Sequence, residues 1–368
     1  MQPFIPLASP DIRENDIAAV SAVLRTGNLV QGKQVEELEK KLASYLGVPY
    51  CIAVTNGTAT LHLTLVALGI GPGDEVIIPA LSYIATANVV ELVGATPVFV
   101  DIHLDTFNIN SDLIESKISP KTKAIMAVHE FGLSADMERI KVLCDKHKVF
   151  FIEDAACALG ALEQNRFAGT RGIAGSFSFH PRKAITSGEG GAIVTSDSVL
   201  ALRLRALRNH GMDATNTAKM DFIVAGYNCR MTDFQAALLG SQLERLEAIL
   251  ERKREIASRY LNEIMHPHIK LPVVPADKQP SWQTFHLILQ EPLKQAETIS
   301  KLREAGIGTN YGAQCMPEQT YYKEKYAYDV ATIFPNALKA YQQGLAIPLY
   351  EKLTNDQVTN IINTVNSL

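Results

Sequence analysis

Cysteine is scarce and unpatterned in this chain of 368 residues: there are 5, widely spaced, with no CxxC pair. An odd count without metal-ligand spacing argues against a disulfide framework or a zinc site and for reduced thiols. An excess of charge of one sign is also missing. The 35 basic and 39 acidic residues leave a net charge of −4. Nucleic acid therefore meets no electrostatic footprint, and an anionic membrane no polybasic tract. No apolar stretch approaches the roughly 18 residues that span a bilayer. The opening MQPFIPLASPDIREND lacks the basic start and apolar run of a secretory signal. What is present is ordinary globular composition, 47% apolar and 20% charged. The expectation is a soluble cytoplasmic protein, at this size most often an enzyme, with about two domains at roughly 150 residues each.

The first two thirds alternate between short apolar runs and amphipathic segments. Val35–Leu46 reads as a helix, with Leu38, Leu42 and Leu46 on one face and Gly47 as its stop. NGTATLHLTLVALG reads as a second helix, from Gly57 to Gly69. The runs CIAVT, EVIIPA, TPVFVDI, AIMAVHEFG, KVFFIEDAA, SFSFH and AIVTSD read as strands. Near-continuous apolar strands separated by helices indicate an α/β fold, with a mostly parallel sheet covered on both faces. Ligands of such sheets sit beyond the carboxyl ends of the strands, so the polar residues just after each run are where chemistry is sought. Around Leu239 the texture changes. LLGSQLERLEAILERKREIASRYLNEI reads as one long amphipathic helix, with Leu243, Leu246 and Leu250 along a stripe. A Pro-rich stretch, a strand-like TFHLILQ and helices near Thr298–Ala305 and Asn355–Val365 follow. The expected division is 1–240, a large domain, and 241–368, a bridging helix with a small domain.

Four features fall at strand ends or helix starts. Asp154 closes the run VFFIED, where a carboxylate is partly buried and needs a positive or donating partner. Its neighbour Glu153 points to the opposite side of a strand, so the two do not act as a pair. Lys183, in SFHPRKAITSGEGG, lies between a short strand and a glycine-dense loop, and a partly desolvated lysine can form a Schiff base. Asn56-Gly57-Thr58-Ala59-Thr60 opens a helix, where exposed N–H groups favour an anion. Ser176 and Ser178 share one face of their strand and could add hydroxyls to the same anion, while Phe177 and Phe179 turn into the core. Tyr83, just past the strand ending near Pro79, could stack on a planar ring. Each feature alone has a structural explanation: a cap, a salt bridge, a surface charge, ordinary packing. Together, with Lys183 following Asp154 by 29 residues, they match the needs of pyridoxal phosphate: an anion cradle, a stacking aromatic, a carboxylate for the ring nitrogen and a lysine for the aldehyde. The glycines of GEGG do not make a dinucleotide-binding fingerprint.

Nearly the whole chain resembles the DegT/DnrJ/EryC1/StrS family of sugar aminotransferases. The resemblance runs from IPLASPDI through TNGTATLHLTLVALGIGPGDEVIIPALSYIATAN, HEFGLSADM, FIEDAACALGA, SFSFHPRKAITSGEGGAIVTSD and GYNCRMTDFQAALLGSQL to FPNALKAYQQGLAIPLY. It implies the type I, aspartate aminotransferase-like fold, with a seven-stranded large-domain sheet and a smaller α+β C-terminal domain. It implies that Lys183 bonds pyridoxal phosphate and shuttles the proton, that Asp154 pairs with the ring nitrogen and that Tyr83 stacks on the ring. Gly57, Thr58, Ala59 and Ser178 would hold the phosphate, and Asn228 would reach the phosphate of the other subunit of a homodimer. The implied reaction passes through pyridoxamine phosphate and moves an amino group, from glutamate, to a nucleotide-linked keto-sugar such as a 4-keto-6-deoxyhexose. Two positions depart from the family. Cys157 stands where glutamine or histidine is common near the cofactor's phenolic oxygen, and a thiol is a weak donor. The stretch Tyr311–Pro317 lacks the usual histidine. Alternatives are a keto-sugar dehydratase, which would carry histidine in place of Lys183, and a non-catalytic regulatory protein of the same fold. Arg230 and Lys325 are the candidates for holding a nucleotide diphosphate.

Overall fold

The computed structural model describes residues 3–213, 215 and 220–368. The seven apolar runs form one sheet. In chain order its strands are β1 (Tyr50–Val54), β2 (Glu75–Pro79), β3 (Thr96–Val100), β4 (Thr122–Val128), β5 (Phe150–Asp154), β6 (Ala174–Ser178) and β7 (Gly191–Thr195). In space they lie in the order β1-β7-β6-β5-β4-β2-β3. Only β7 is reversed: it pairs antiparallel with β1 and β6, and every other pairing is parallel. All five residues of β7 are buried, as are six of the seven in β4. Covered faces explain why these strands read as apolar runs rather than alternating patterns.

The helices follow their local signals. Lys33–Leu46 buries Val35, Leu38, Leu42 and Leu46 and stops at Gly47, whose φ of 68° is left-handed. Gly57–Ala67 starts at an Asn56 cap. The long helix differs from expectation. It is two helices, Asp233–Leu243 and Leu246–Glu263, broken at 244–245. Arg245 leaves helical geometry (φ −114°, ψ 13°), and its guanidinium holds both Asp16 oxygens, at 2.6 and 2.9 Å, and the Asp11 carbonyl at 2.7 Å. The leucine stripe runs on through the break, with Leu246 and Leu250 in the same core as Leu38 and Leu42. Periodicity alone therefore could not reveal it.

A second sheet of three antiparallel strands comprises Ile269–Lys270, Phe285–Leu289 and Gly344–Ile347. Its core joins Phe285, Leu287, Ile361 and Val365. Two segments cross position 240/241 in space. Ile5 packs into this second core and bridges Gly306 and Gly308 through backbone bonds of 2.8 Å. In the other direction, Met316, Tyr322, Phe334 and Ala337 pack with Ile78 and Phe99 against the large sheet. Among the described residues no helix is long and apolar enough to cross a membrane.

Candidate active site

The carboxyl ends of β5 and β6 and the start of the helix Gly57–Ala67 converge on one place. Asn56 Oδ1 caps that helix by accepting from Ala59 N–H at 2.8 Å. The Gly57 and Thr58 N–H groups lie in the first turn, where no carbonyl precedes them in the helix, so they remain as donors. Gly57 abuts Ser178: a Cβ at 57 would lie 2.8 Å from the Ser178 Cβ and 3.1 Å from its Oγ. Gly191 of β7 is equally constrained, since a Cβ there would lie 2.6 Å from the Asn56 carbonyl oxygen. Both glycines are needed for close approach, and any side chain at 57 would fill the cradle. Ser178 is half-buried beside it. Ser176 is not available: its hydroxyl is buried and bonded to Thr60 Oγ1. It belongs to the packing between sheet and helix rather than to an anion site. Phe177 and Phe179 are buried in the core, as their alternation implies.

Asp154 is buried at the end of β5. Its Oδ2 accepts from Thr86 Oγ1 at 2.9 Å and its Oδ1 from Ala156 N–H at 3.2 Å. Burial raises its pKa, and Thr86, Ala156 and the charge of Lys183 offset only part of that rise. Glu153 faces the other side of the sheet, as strand geometry requires, and bonds to His129, Gly169, Arg171 and Gly172. Lys183 Nζ donates to Cys157 Sγ at 3.0 Å. Burial pushes the Cys157 thiol up despite the ammonium beside it, so it stays protonated. Tyr83 is 67% exposed at the mouth of the site. It directly follows Leu81–Ser82, which pairs with Gln314–Cys315 of the Tyr311–Pro317 stretch.

Asn228 is exposed on a segment bound to the edge of β1, where Thr55 N–H donates to Cys229 O at 3.0 Å. Arg230 is held by Asn209 Oδ1 at 2.8 Å. Lys325 is spent on a surface pair with Glu91. Four residues that sequence reading missed also belong here. Ser82 and Thr86 bond to each other at 3.0 Å. Glu130 is 5% exposed, with a buried Oε2 that has no partner among the described residues. Burial pushes its carboxyl up to about 8, Asp154 reinforces the rise and Lys183 opposes it. Lys253 of the helix Leu246–Glu263 is buried, and burial lowers it to about 8. Glu351, Cys157 and Lys183 act on it electrostatically, Glu351 most strongly. Glu130 was within reach of the rule that singled out Asp154, because it too follows an apolar run. Ser82, Thr86 and Lys253 carry no signal apart from the fold.

These residues fit pyridoxal phosphate. Gly57 lets the free N–H groups of the helix start come up against Ser178, the buried Glu130 Oε2 has no partner among the described residues, and a lysine and a strand-end carboxylate complete the set. A seven-stranded sheet with one reversed strand and these groups at its carboxyl edge has the type I architecture of pyridoxal-phosphate enzymes, and solved aminotransferases share it over their full length. The model of the DegT/DnrJ/EryC1/StrS aminotransferase family matches residues 10–366, and the chain belongs to that family. It is 36% identical to the Bacillus subtilis spore coat polysaccharide biosynthesis protein SpsC over 378 aligned positions, covering 99% of this chain and 97% of SpsC. The putative sugar aminotransferase Spr1654 from Streptococcus pneumoniae, in its PLP form, superposes with a TM-score of 0.93 at 31% identity, covering 99% of this chain and 98% of that one. Spr1654 is also solved in a PMP form, with the same TM-score and identity. PseC of Helicobacter pylori, an aminotransferase involved in the biosynthesis of pseudoaminic acid, gives a TM-score of 0.93 at 28% identity, covering 99% and 98%.

Proposed function

We propose that the chain is a pyridoxal-phosphate-dependent aminotransferase that moves an amino group from glutamate to a nucleotide-linked keto-sugar, and that it works as a homodimer. The observation that carries the reading is Lys183 Nζ held 3.0 Å from Cys157 Sγ, with its charge acting on buried Asp154. Pyridoxal phosphate supplies an electron-poor ring that takes up negative charge as a proton moves between carbons.

The chain's own residues do the rest. Lys183 Nζ would hold the cofactor through its aldehyde, and the same amine would serve as the group that carries the proton. Asp154 holds the ring nitrogen in its protonated form, and fixed electrostatics of this kind often contributes more to rate enhancement than any other effect. Gly57, Thr58, Ala59 and Ser178 would bind the phosphate, Tyr83 would stack on the ring and Cys157 would lie near the phenolic oxygen. Asn228 serves the neighbouring subunit. Residues 1–240 hold the cofactor, and 241–368 shape the substrate pocket. With a net charge of −4, the chain holds anionic substrates by local donors and helix N-termini, not by an overall positive field.

The test is one panel: purified protein, glutamate and several nucleotide-linked keto-sugars, with product mass and the NMR position of the new amine. A 4-keto-6-deoxy substrate aminated at C4 is expected. Lys183→Ala should abolish the cofactor's visible covalent absorbance and cut turnover by about 10³-fold or more. Normal turnover by Lys183→Ala, or a deoxy product without an amine, overturns the reading.

A further inference from the structure

The stretch Tyr311–Pro317, where the sequence departs from its family, is tied to the cleft by a strand pairing. Gln314–Cys315 runs antiparallel to Leu81–Ser82, with Cys315 opposite Leu81 and Gln314 opposite Ser82. Met316 N–H extends the ladder to the Ala80 carbonyl at 2.8 Å. Residues directly opposite each other in an antiparallel pair share a face, and successive residues alternate. Leu81 and Cys315 are 1% and 0% exposed and belong to the core that also holds Ala337 and Ala340. Ser82 and Gln314 therefore share the other face. On that face Ser82 Oγ lies 3.0 Å from Thr86 Oγ1, which reaches Asp154 Oδ2 at 2.9 Å. The register thus brings Gln314, from the C-terminal third of the chain, to the wall of a cleft lined by the N-terminal part.

The chain leaves Ser82 and enters Gln314 at the same end of this ribbon, and each side carries a tyrosine there. Tyr83 is 67% exposed and Tyr311 40% exposed. The Tyr311 hydroxyl is nonetheless held in place. Gln314 Nε2 donates to its oxygen at 3.3 Å, and its ring meets Tyr341 edge-on, with centroids 5.6 Å apart and planes at 88°. Gln314 Oε1 is turned inward, buried and without a partner among the described residues, so the NH₂ end of the amide is the one that faces the phenol. A phenol oxygen that accepts from an amide keeps its own hydrogen to donate elsewhere. Tyr311 therefore presents an oriented donor at the mouth of the cleft, beside Tyr83.

We propose that Tyr311 is a specificity-determining residue for the keto-sugar: its phenolic O–H, oriented by Gln314, donates to one hydroxyl oxygen of the sugar. The assignment rests on the sugar substrate of the proposed function. The reacting carbonyl has to come to the cofactor's ring, which Tyr83 would cover, so a donor at the same end of the ribbon meets the sugar rather than the nucleotide attached to it. Phenol and amide are both neutral, and a few placed neutral groups are what fixes the orientation of an uncharged polyol. A site built to bond a substrate hydroxyl also rejects the analogue that lacks it, because the protein group is then left unpaired.

The test uses the cofactor-loaded enzyme, glutamate, the keto-sugar that wild type converts fastest and analogues of it that each lack one hydroxyl. In Tyr311→Phe the ratio of kcat/KM for the sugar to kcat/KM for glutamate should fall about tenfold, as expected for one neutral hydrogen bond. Wild type should discriminate about tenfold against one deoxy analogue, and Tyr311→Phe should convert that analogue and the parent sugar equally well. Gln314→Leu should give a smaller loss, and no further loss once Tyr311→Phe is present, because it acts through the phenol. Additive losses overturn the part given to Gln314. An unchanged ratio in Tyr311→Phe overturns the proposal, as does a variant that discriminates against every analogue as wild type does, which is the result of a purely structural role. If wild type converts no keto-sugar, the functional reading fails and this assignment falls with it. If wild type converts one and Tyr311→Phe matches it, the assignment alone fails.

Discussion

Glu153 and Asp154 are neighbours on β5, yet they face opposite sides of the sheet in opposite conditions. Glu153 is saturated. His129 Nδ1 accepts from Ala135 N–H at 3.0 Å, so its Nε2 carries the hydrogen and donates to Glu153 at 2.9 Å. The backbone N–H groups of Gly169, Arg171 and Gly172 donate at 2.8, 2.6 and 2.6 Å. On the other face Asp154 takes only two bonds, and Glu130 beside it has an oxygen with none. Buried polar groups are normally satisfied, because an unmade bond in a low-dielectric interior is costly. A saturated carboxylate therefore anchors structure, whereas an under-satisfied pair next to a lysine keeps a place for something else. The rest of the fold agrees. Behind Glu153 the backbone of 169–172 closes over the carboxylate, whereas the N–H groups of Gly57 and Thr58 in the first turn of their helix have no such acceptor in the helix.

The most direct challenge to this contrast is to make the same change on both faces. Asp154→Asn should lower kcat by about 10³-fold while leaving urea-unfolding stability within about 1 kcal/mol. Glu153→Gln should do the reverse, costing about 3 kcal/mol of stability because an amide NH₂ then faces N–H donors, with the absorbance of bound cofactor unchanged. Equal effects on both readouts would erase the distinction.

His286, on the second sheet, lines a cavity with Glu130 but behaves as a packing group. It is 1% exposed, stacked on Phe131 at 4.4 Å, and burial holds its pKa at about 3. A folded-state pKa depressed below the ordinary 6.5 means that its contribution is present above pH 6.5 and lost as pH falls toward 3. At about 1.4 kcal/mol per unit, acidification to pH 5 should cost about 2 kcal/mol. Denaturation at pH 7 and 5 should show a smaller drop for His286→Gln than for wild type; equal drops would refute this. The smallest effect is reserved for the cradle. In Gly57→Ala the new methyl meets Ser178, and cofactor titration should show about tenfold weaker binding with an unchanged melting curve of the cofactor-free protein.

Much of this was legible from residue order. All seven strands read as apolar runs because both faces of the sheet are covered. Asn56, Gly47 and Gly57 marked helix ends through local backbone chemistry, and strand alternation placed Glu153 opposite Asp154. The errors share a cause. Ser176 reads as an anion ligand until its partner Thr60, 116 residues away, is seen. The leucine stripe after Leu239 reads as one helix because a periodicity says nothing of Asp16, which draws Arg245 out of line.

The sequence by itself determined the class of fold, the family and the lysine and aspartate of the candidate site, since each is written in short-range pattern or in a motif. Only the tertiary structure decided which polar groups are satisfied. Thr86 and Asp154 lie 68 residues apart and meet because β2 and β5 both border β4. Lys253, which Cys157 and Lys183 influence electrostatically, lies on the helix after the break at Arg245. Hydrogen-bond partners across a sheet are set by strand order and register, which local sequence does not encode.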